Sequence, residues 1–221
     1  MLLNAMQLSF VCQLFFLALI FPPSLGLAPL EVGWAAYKKL LVEKPLLTKS
    51  TTSAIIMGVS DAMTQRLEHR FLGIEKKFDH DWRRTWYAFS TGFCWSGPSA
   101  HTWYQQLENI CGYFPVSGPI QGLVLRLVLD ALIFSPITIA GFFTANSLIQ
   151  GKSLAVIQEK LSTKWKNAVY AAWSFWPVVN IVNFSMIPLS FRVLYSNIMA
   201  LIWTGYLSYV NNQKMSKLRT A

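Results

Sequence analysis

Charge is scarce in this chain, and acid is scarcer than base. Of 221 residues only 13% are Asp, Glu, Lys or Arg, with ten acids against nineteen bases, where a soluble domain carries about 25% charge. With 53% hydrophobic residues and a mean hydropathy of +0.38, an ordinary soluble fold is excluded. Cysteine is scarce too: Cys12, Cys94 and Cys111 form no C-x-x-C and have no histidine at zinc-ligand spacing. That excludes a disulfide framework and gives no metal site. There is no G-x-S-x-G, no H-E-x-x-H, no nucleotide loop and no pair of aspartates with a shared local motif, so no catalytic residue or cofactor is assigned. No internal repeat is visible, nor a pair of interrupted helices in matching positions, which argues against a secondary carrier.

What is present reads as a small polytopic membrane protein, an all-α bundle of four to five spans with an amphipathic N-terminal helix. Residues 1–30 carry no charged side chain. The run from Leu8 to Phe21 has the length of a signal-peptide core, followed by Ser24-Leu25-Gly26 as a small-x-small site. This leader is either a signal or an extra anchor. Residues 31–211 then form one bundle domain, and 212–221 a basic tail. From Glu31 to Lys49, Trp34, Tyr37, Leu40 and Leu41 alternate with Lys38, Lys39 and Lys44, an interfacial helix broken by Pro45.

The spans follow in order. Thr51 to Leu67 is a modest first span holding Asp61, and Arg66 to Arg84 is a hydrophilic loop with six Lys or Arg. Thr85 to about Leu107 is aromatic and interrupted at Gly97-Pro98, with Gly97, His101, Tyr104, Gln105 and Glu108 on one face. His101 reads either as a hydrogen-bonded packing residue or as a pH-sensitive gate. The turn from Cys111 to Gly118 has no charge. Ile120 to Leu148 is a long third span in which Arg126 and Asp130, four apart, can pair along one face, with a kink at Pro136. Gln150 to Asn167 is polar again. The basic loops at 66–84 and 152–166 and the tail fall on one side, opposite Cys111, as the positive-inside rule requires; the lysines between 38 and 49 do not fit it.

From Ala168 to Val210 the one charged residue is Arg192, and a continuous helix of that length would reach roughly 60 Å, about twice a bilayer's hydrocarbon thickness. Pro188 near its middle predicts two helices meeting there. Trp173, Trp176, Asn180 and Asn183 share a face of the first; Arg192, Tyr195, Ser196, Met199, Trp203 and Tyr206 share one of the second. These polar residues either glue helices together or line a lumen. Asp61, Asp130, Arg126 and Arg192 make two acids and two bases at membrane depth, which predicts mutual pairing, with Arg192 meeting Asp130 or Asp61.

The pattern Trp176-Pro177, Asn180, Asn183-Phe184, Pro188, Arg192-Val193, then Asn197, Trp203 and Tyr206-Leu207-Ser208, resembles the C-terminal signature of one membrane family. It contains the 22-kDa peroxisomal membrane protein and the mitochondrial inner-membrane Mpv-seventeen proteins. Gly97-Pro98, His101 to Glu108, and Asp130 with Pro136 extend the resemblance over residues 34–208; Ser60-Asp61 and Asp130-Ala131 depart from the family's usual Gly-Asp and Asp-Gln. The resemblance implies an organelle membrane, mitochondrial inner or peroxisomal, although the leader could redirect the chain to the endomembrane system or a plastid. It implies a weakly selective channel for small solutes, linked to metabolite and reactive-oxygen balance. A non-conducting scaffold is the alternative. The candidate pore-lining or intramembrane polar residues are Asp61, His101, Arg126, Asp130, Trp176, Asn180, Asn183, Pro188 and Arg192. The partners are the bilayer, small solutes and further copies of the chain, with no nucleic acid.

Overall fold

The computed structural model describes residues 28–71, 78–115 and 118–203. The leader up to residue 27, Cys12, Tyr206 and the basic tail lie outside the described residues. What is described is helical, without a strand. Helix α1 spans Ala28–Glu43 and α2 spans Pro45–Phe71, with Pro45 starting the second helix where its missing N–H costs nothing. A rod of α3 (Trp82–Thr91), a π-helical turn (Gly92–Ser96) and α4 (Gly97–Gly112) follows. A second rod joins α5 (Pro119–Leu129), a π turn (Asp130–Phe134) and α6 (Ser135–Ile149). Helix α7 (Leu154–Met186) and a last helix, α8, over 192–203 complete the bundle. The basic loop is therefore shorter than the sequence suggested, because α2 runs on to Phe71 and Asp81 caps α3 by accepting from the Arg84 N–H at 2.9 Å. Likewise α7 begins at Leu154, so most of the polar stretch 150–167 is helical.

Both rods are interrupted in one way. The Gly97 N–H bonds back five residues to the Gly92 carbonyl and the Ser135 N–H to the Asp130 carbonyl, each one residue before a proline. Pro98 and Pro136 offer no N–H, and their rings crowd the carbonyls of Cys94 and Leu132. The wider turn relieves that crowding without ending the helix. Trp82 to Gly112 and Pro119 to Ile149 are both 31 residues long with the π turn near the middle. The two rods are thus built alike, each widened but not broken ahead of the prolines at which the sequence reading placed an interruption and a kink. A π turn leaves no proline-induced gap for hydropathy to register.

Tight packing explains where the glycines fall. A Cβ at Gly97 would sit 2.5 Å from Ser50 Cα, and one at Gly92 would sit 2.7 Å from the Ser53 carbonyl, so α2 lies backbone to backbone against the first rod. At Gly141 a Cβ would meet the Trp95 ring at 1.8 Å, which fixes the two rods side by side. Gly151 plays another part: its φ of 68° closes α6. The N–H groups of Gly151 and Lys152 bond the Leu148 and Ser147 carbonyls at 2.9 and 3.0 Å.

Helix α7 ends at Met186, and Ile187 takes the extended conformation (φ −92°, ψ 122°) that a residue before proline favours. After Pro188 the chain reverses. Helix α8 returns along α7, with the Tyr195 hydroxyl donating to the Val179 carbonyl at 3.3 Å and Trp203 stacked on Phe175 at 4.5 Å. Phe175, Val179, Ile187, Tyr195 and Met199 form the core of this hairpin. Trp34 of α1 stacks on Phe191 in the break at 5.3 Å, so α1 sits at the end of the bundle where the hairpin turns. The expected amphipathic segregation is weak there: Val32, Leu40 and Val42 are exposed on the same helix as Lys38, Lys39 and Glu43.

One helix among the described residues, Pro119–Ile149, is by length and composition apolar enough to cross a membrane. The count of four to five spans is not reached on that criterion, because α2 and α7 carry polar side chains that are buried inside the bundle, among them Ser53, Thr64, Gln65, Asn180 and Asn183.

Candidate functional site

The charged side chains that the sequence places at membrane depth fall into three groups along the bundle. At the end where α2 finishes and α3 begins, Asp61 accepts from Arg84 Nε at 2.7 Å, Thr85 Oγ1 at 2.8 Å and Gln65 Nε2 at 2.7 Å. Arg84 reaches on to Glu68 at 2.8 Å. Asp61 and Gln65 are one helical turn apart, so both face α3.

In the middle of the bundle Asp130 is 4% exposed. It accepts from Trp103 Nε1 at 2.9 Å and from Asn180 Nδ2 at 2.6 Å. Next to it Asn183 Nδ2 lies 3.3 Å from the Tyr104 hydroxyl and 3.2 Å from Ser196 Oγ, and those two hydroxyls are 2.6 Å apart. The Asn183 Oδ1 atom is buried and has no hydrogen-bond partner among the described residues.

At the hairpin end, Glu108 of α4 takes Arg126 through two bonds, at 2.9 Å from Nε and 2.6 Å from Nη2, and also takes Arg192 Nη1. Arg192 Nε donates to the Ile187 carbonyl at 3.2 Å, and its guanidinium lies 5.4 Å from the Phe184 ring centroid. The break at Pro188 therefore supplies an acceptor that a continuous helix would have used itself.

These contacts correct the expected pairing. Arg192 meets neither Asp130 nor Asp61, and Arg126 does not pair with Asp130. Side chains on a helix lean toward its N-terminus, so Arg126 leans toward the start of α5, where the antiparallel α4 brings Glu108. A bidentate guanidinium–carboxylate pair is stronger than a single contact along one helix. Glu108 was visible in the sequence as the acid on the face of Gly97, His101 and Tyr104, although nothing in the spacing said which base it would meet. Arg84, read as loop, is the partner of Asp61. His101 Nδ1 lies 3.3 Å from Lys49 Nζ with both residues buried, a partner the sequence did not suggest. Cys111, expected at an accessible turn, is buried beside Tyr104 and Leu107.

Two cavities run through this arrangement. The outer one, about 790 Å³, is walled by Asp61, Arg84, Tyr87, Asn146 and Lys152 among others, at the end with the basic loops. The inner one, about 370 Å³ and as open as the first, reaches Tyr104, Asp130, Trp176, Asn180 and Ser196 in the middle of the bundle. Ser96, Phe142, Asn197 and Ala200 line both, so the two cavities adjoin. Of the candidate residues, Asp61 faces the first and Asp130, Trp176 and Asn180 face the second. His101, Arg126, Asn183, Pro188 and Arg192 line neither. Among the described residues no three His, Cys, Asp or Glu side chains gather as a metal site.

A profile of the Mpv17 / PMP22 family matches residues 147–208, the segment that holds α7, the Pro188 break and α8. PXMP2/4 family protein 2 of Dictyostelium discoideum is 34% identical over 187 residues, 84% of this chain and 94% of that protein. The chain belongs to the Mpv17 / PMP22 family. Two further relatives cover it almost as fully. Mitochondrial inner membrane protein Mpv17 of Xenopus laevis is 33% identical over 180 residues, 81% of this chain and 97% of the relative. Peroxisomal membrane protein 2 of Bos taurus is 31% identical over 186 residues, 83% and 92%. No solved structure matches the chain. The last two are named as membrane proteins, one of the mitochondrial inner membrane and one of the peroxisome; neither name supports redirection to a plastid or the endomembrane system.

Proposed function

We propose that the chain forms a weakly selective aqueous pathway for small solutes in an organelle membrane, mitochondrial inner or peroxisomal, with α2, the two rods, α7 and α8 as its walls. The carrying observation is the pair of adjoining cavities, one at the basic end walled by charged side chains and one that reaches Asp130 in the middle of the bundle. Each rod from α2 to α7 is about 40 Å or longer at 1.5 Å per residue, enough to cross a bilayer. Irregular backbone at membrane depth is tolerated where protein or water covers it, and the Pro188 break is covered by α1 and the Glu108 cluster. Phe142 stands at the junction of the cavities, so Phe142→Ala should raise the conductance of purified protein in a planar bilayer. No conductance from folded protein favours the scaffold reading.

A further inference from the structure

Asp130 is the exception among the acids at membrane depth. Asp61 has Arg84, and Glu108 has two arginines. Asp130 accepts from two neutral donors, the Trp103 indole and the Asn180 amide, and among the described residues no Lys or Arg pairs with it. A carboxylate offers about four acceptor positions, so two remain. No other acid and no Lys, Arg or His lines the inner cavity; Trp95, Trp176, Trp203 and Phe134 stand there with alanines and with neutral polar side chains such as Thr138 and Asn197. A carboxyl buried at this depth either keeps its proton or is met by a cation, and aromatic rings beside it favour an alkylammonium group. The volume, about 370 Å³, is that of a small-ligand pocket.

We infer that the inner cavity is a binding site for a small organic ammonium cation, whose charge Asp130 meets and whose alkyl groups pack among Trp95, Trp176 and Trp203. The inference uses the cavity and not conduction. A neutral or anionic solute of equal size would leave the charge of Asp130 unmet and gain nothing from the electron-rich ring faces.

The test is equilibrium dialysis of radiolabelled choline against purified full-length protein in detergent, with dimethylbutanol, its uncharged carbon isostere, as competitor. Saturable choline binding that dimethylbutanol does not displace is expected. Asp130→Asn should weaken it about tenfold or more, because the quaternary nitrogen has no N–H and is held to the carboxylate by charge alone. Trp176→Leu should weaken it about threefold or more. Circular dichroism establishes the helical fold of each sample. Absence of saturable binding to folded wild-type protein overturns the inference, as does equal displacement by dimethylbutanol. Should Asp130→Asn fail to fold, Trp176→Leu decides: unchanged affinity there overturns it as well. Dialysis reads binding without transport, so a conducting protein that does not bind choline sinks this inference alone, and a binding protein that does not conduct sinks the pathway alone.

Discussion

Glu108 and Arg192 stand 84 residues apart in sequence and form an ion pair across the packing of α4 on the start of α8. Because Glu108 also holds Arg126, one carboxylate answers two guanidiniums, and the three helices α4, α5 and α8 are tied at one point. Removing the carboxylate strands both bases. Glu108→Gln should therefore cost about 3 kcal/mol or more, while Arg192→Gln, which leaves Glu108 satisfied by Arg126, should cost less. Unfolding midpoints in detergent read the order. The Glu108→Gln/Arg192→Gln double variant should lose less than the sum of the singles; additive losses would mean that the pair has no coupling energy.

Close backbone approach makes a second prediction. Gly97→Val drives side-chain atoms into Ser50, where even a Cβ comes within 2.5 Å of Cα, whereas Gly112→Ala meets nothing within 4 Å. Overpacking of this kind costs about 1–3 kcal/mol or more. Folded yield and thermal midpoint should fall for Gly97→Val and stay near wild type for Gly112→Ala. Equal behaviour of the two would contradict the packing of α2 on the first rod.

Sidedness is the third. The ends of α2 and α6 and the starts of α3 and α7 share the basic side, opposite the turn after α4. Cys111 is buried and makes a poor reporter, while Tyr113 is 87% exposed. In a cysteine-free background, Tyr113→Cys and Lys164→Cys should be labelled by an impermeant maleimide from opposite faces of the membrane. Labelling from the same face would break the arrangement.

The helix hairpin was legible because its signal is local: Pro188 lacks a donor and restricts Ile187, and the chain turns there. The polar faces were legible for the same reason, since Asn180 and Asn183, or Arg192 and Tyr195, recur at helical spacing and are buried. Partner choice was not legible. Whether Arg126 leans to Asp130 on its own helix or to Glu108 on the neighbouring one depends on which helix lies alongside, and spacing does not carry that. The π turns were hidden for a related reason, because Gly97-Pro98 and Ser135-Pro136 read equally as breaks, kinks or widened turns. Gly141 gave no sign that Trp95 would cover it.

The aqueous pathway is the central claim, and Ser96, which lines both cavities, is the place to test it. A cysteine-free protein carrying Ser96→Cys is reconstituted in a planar bilayer and treated with a trimethylammonium-bearing methanethiosulfonate, with Val124→Cys on the exposed outer side of α5 as the control. The account predicts a steady protein-dependent conductance that falls on modification at Ser96→Cys and is unchanged at Val124→Cys. Conductance unaffected at Ser96→Cys, with modification verified by mass, would contradict it, and so would the absence of any conductance from folded protein.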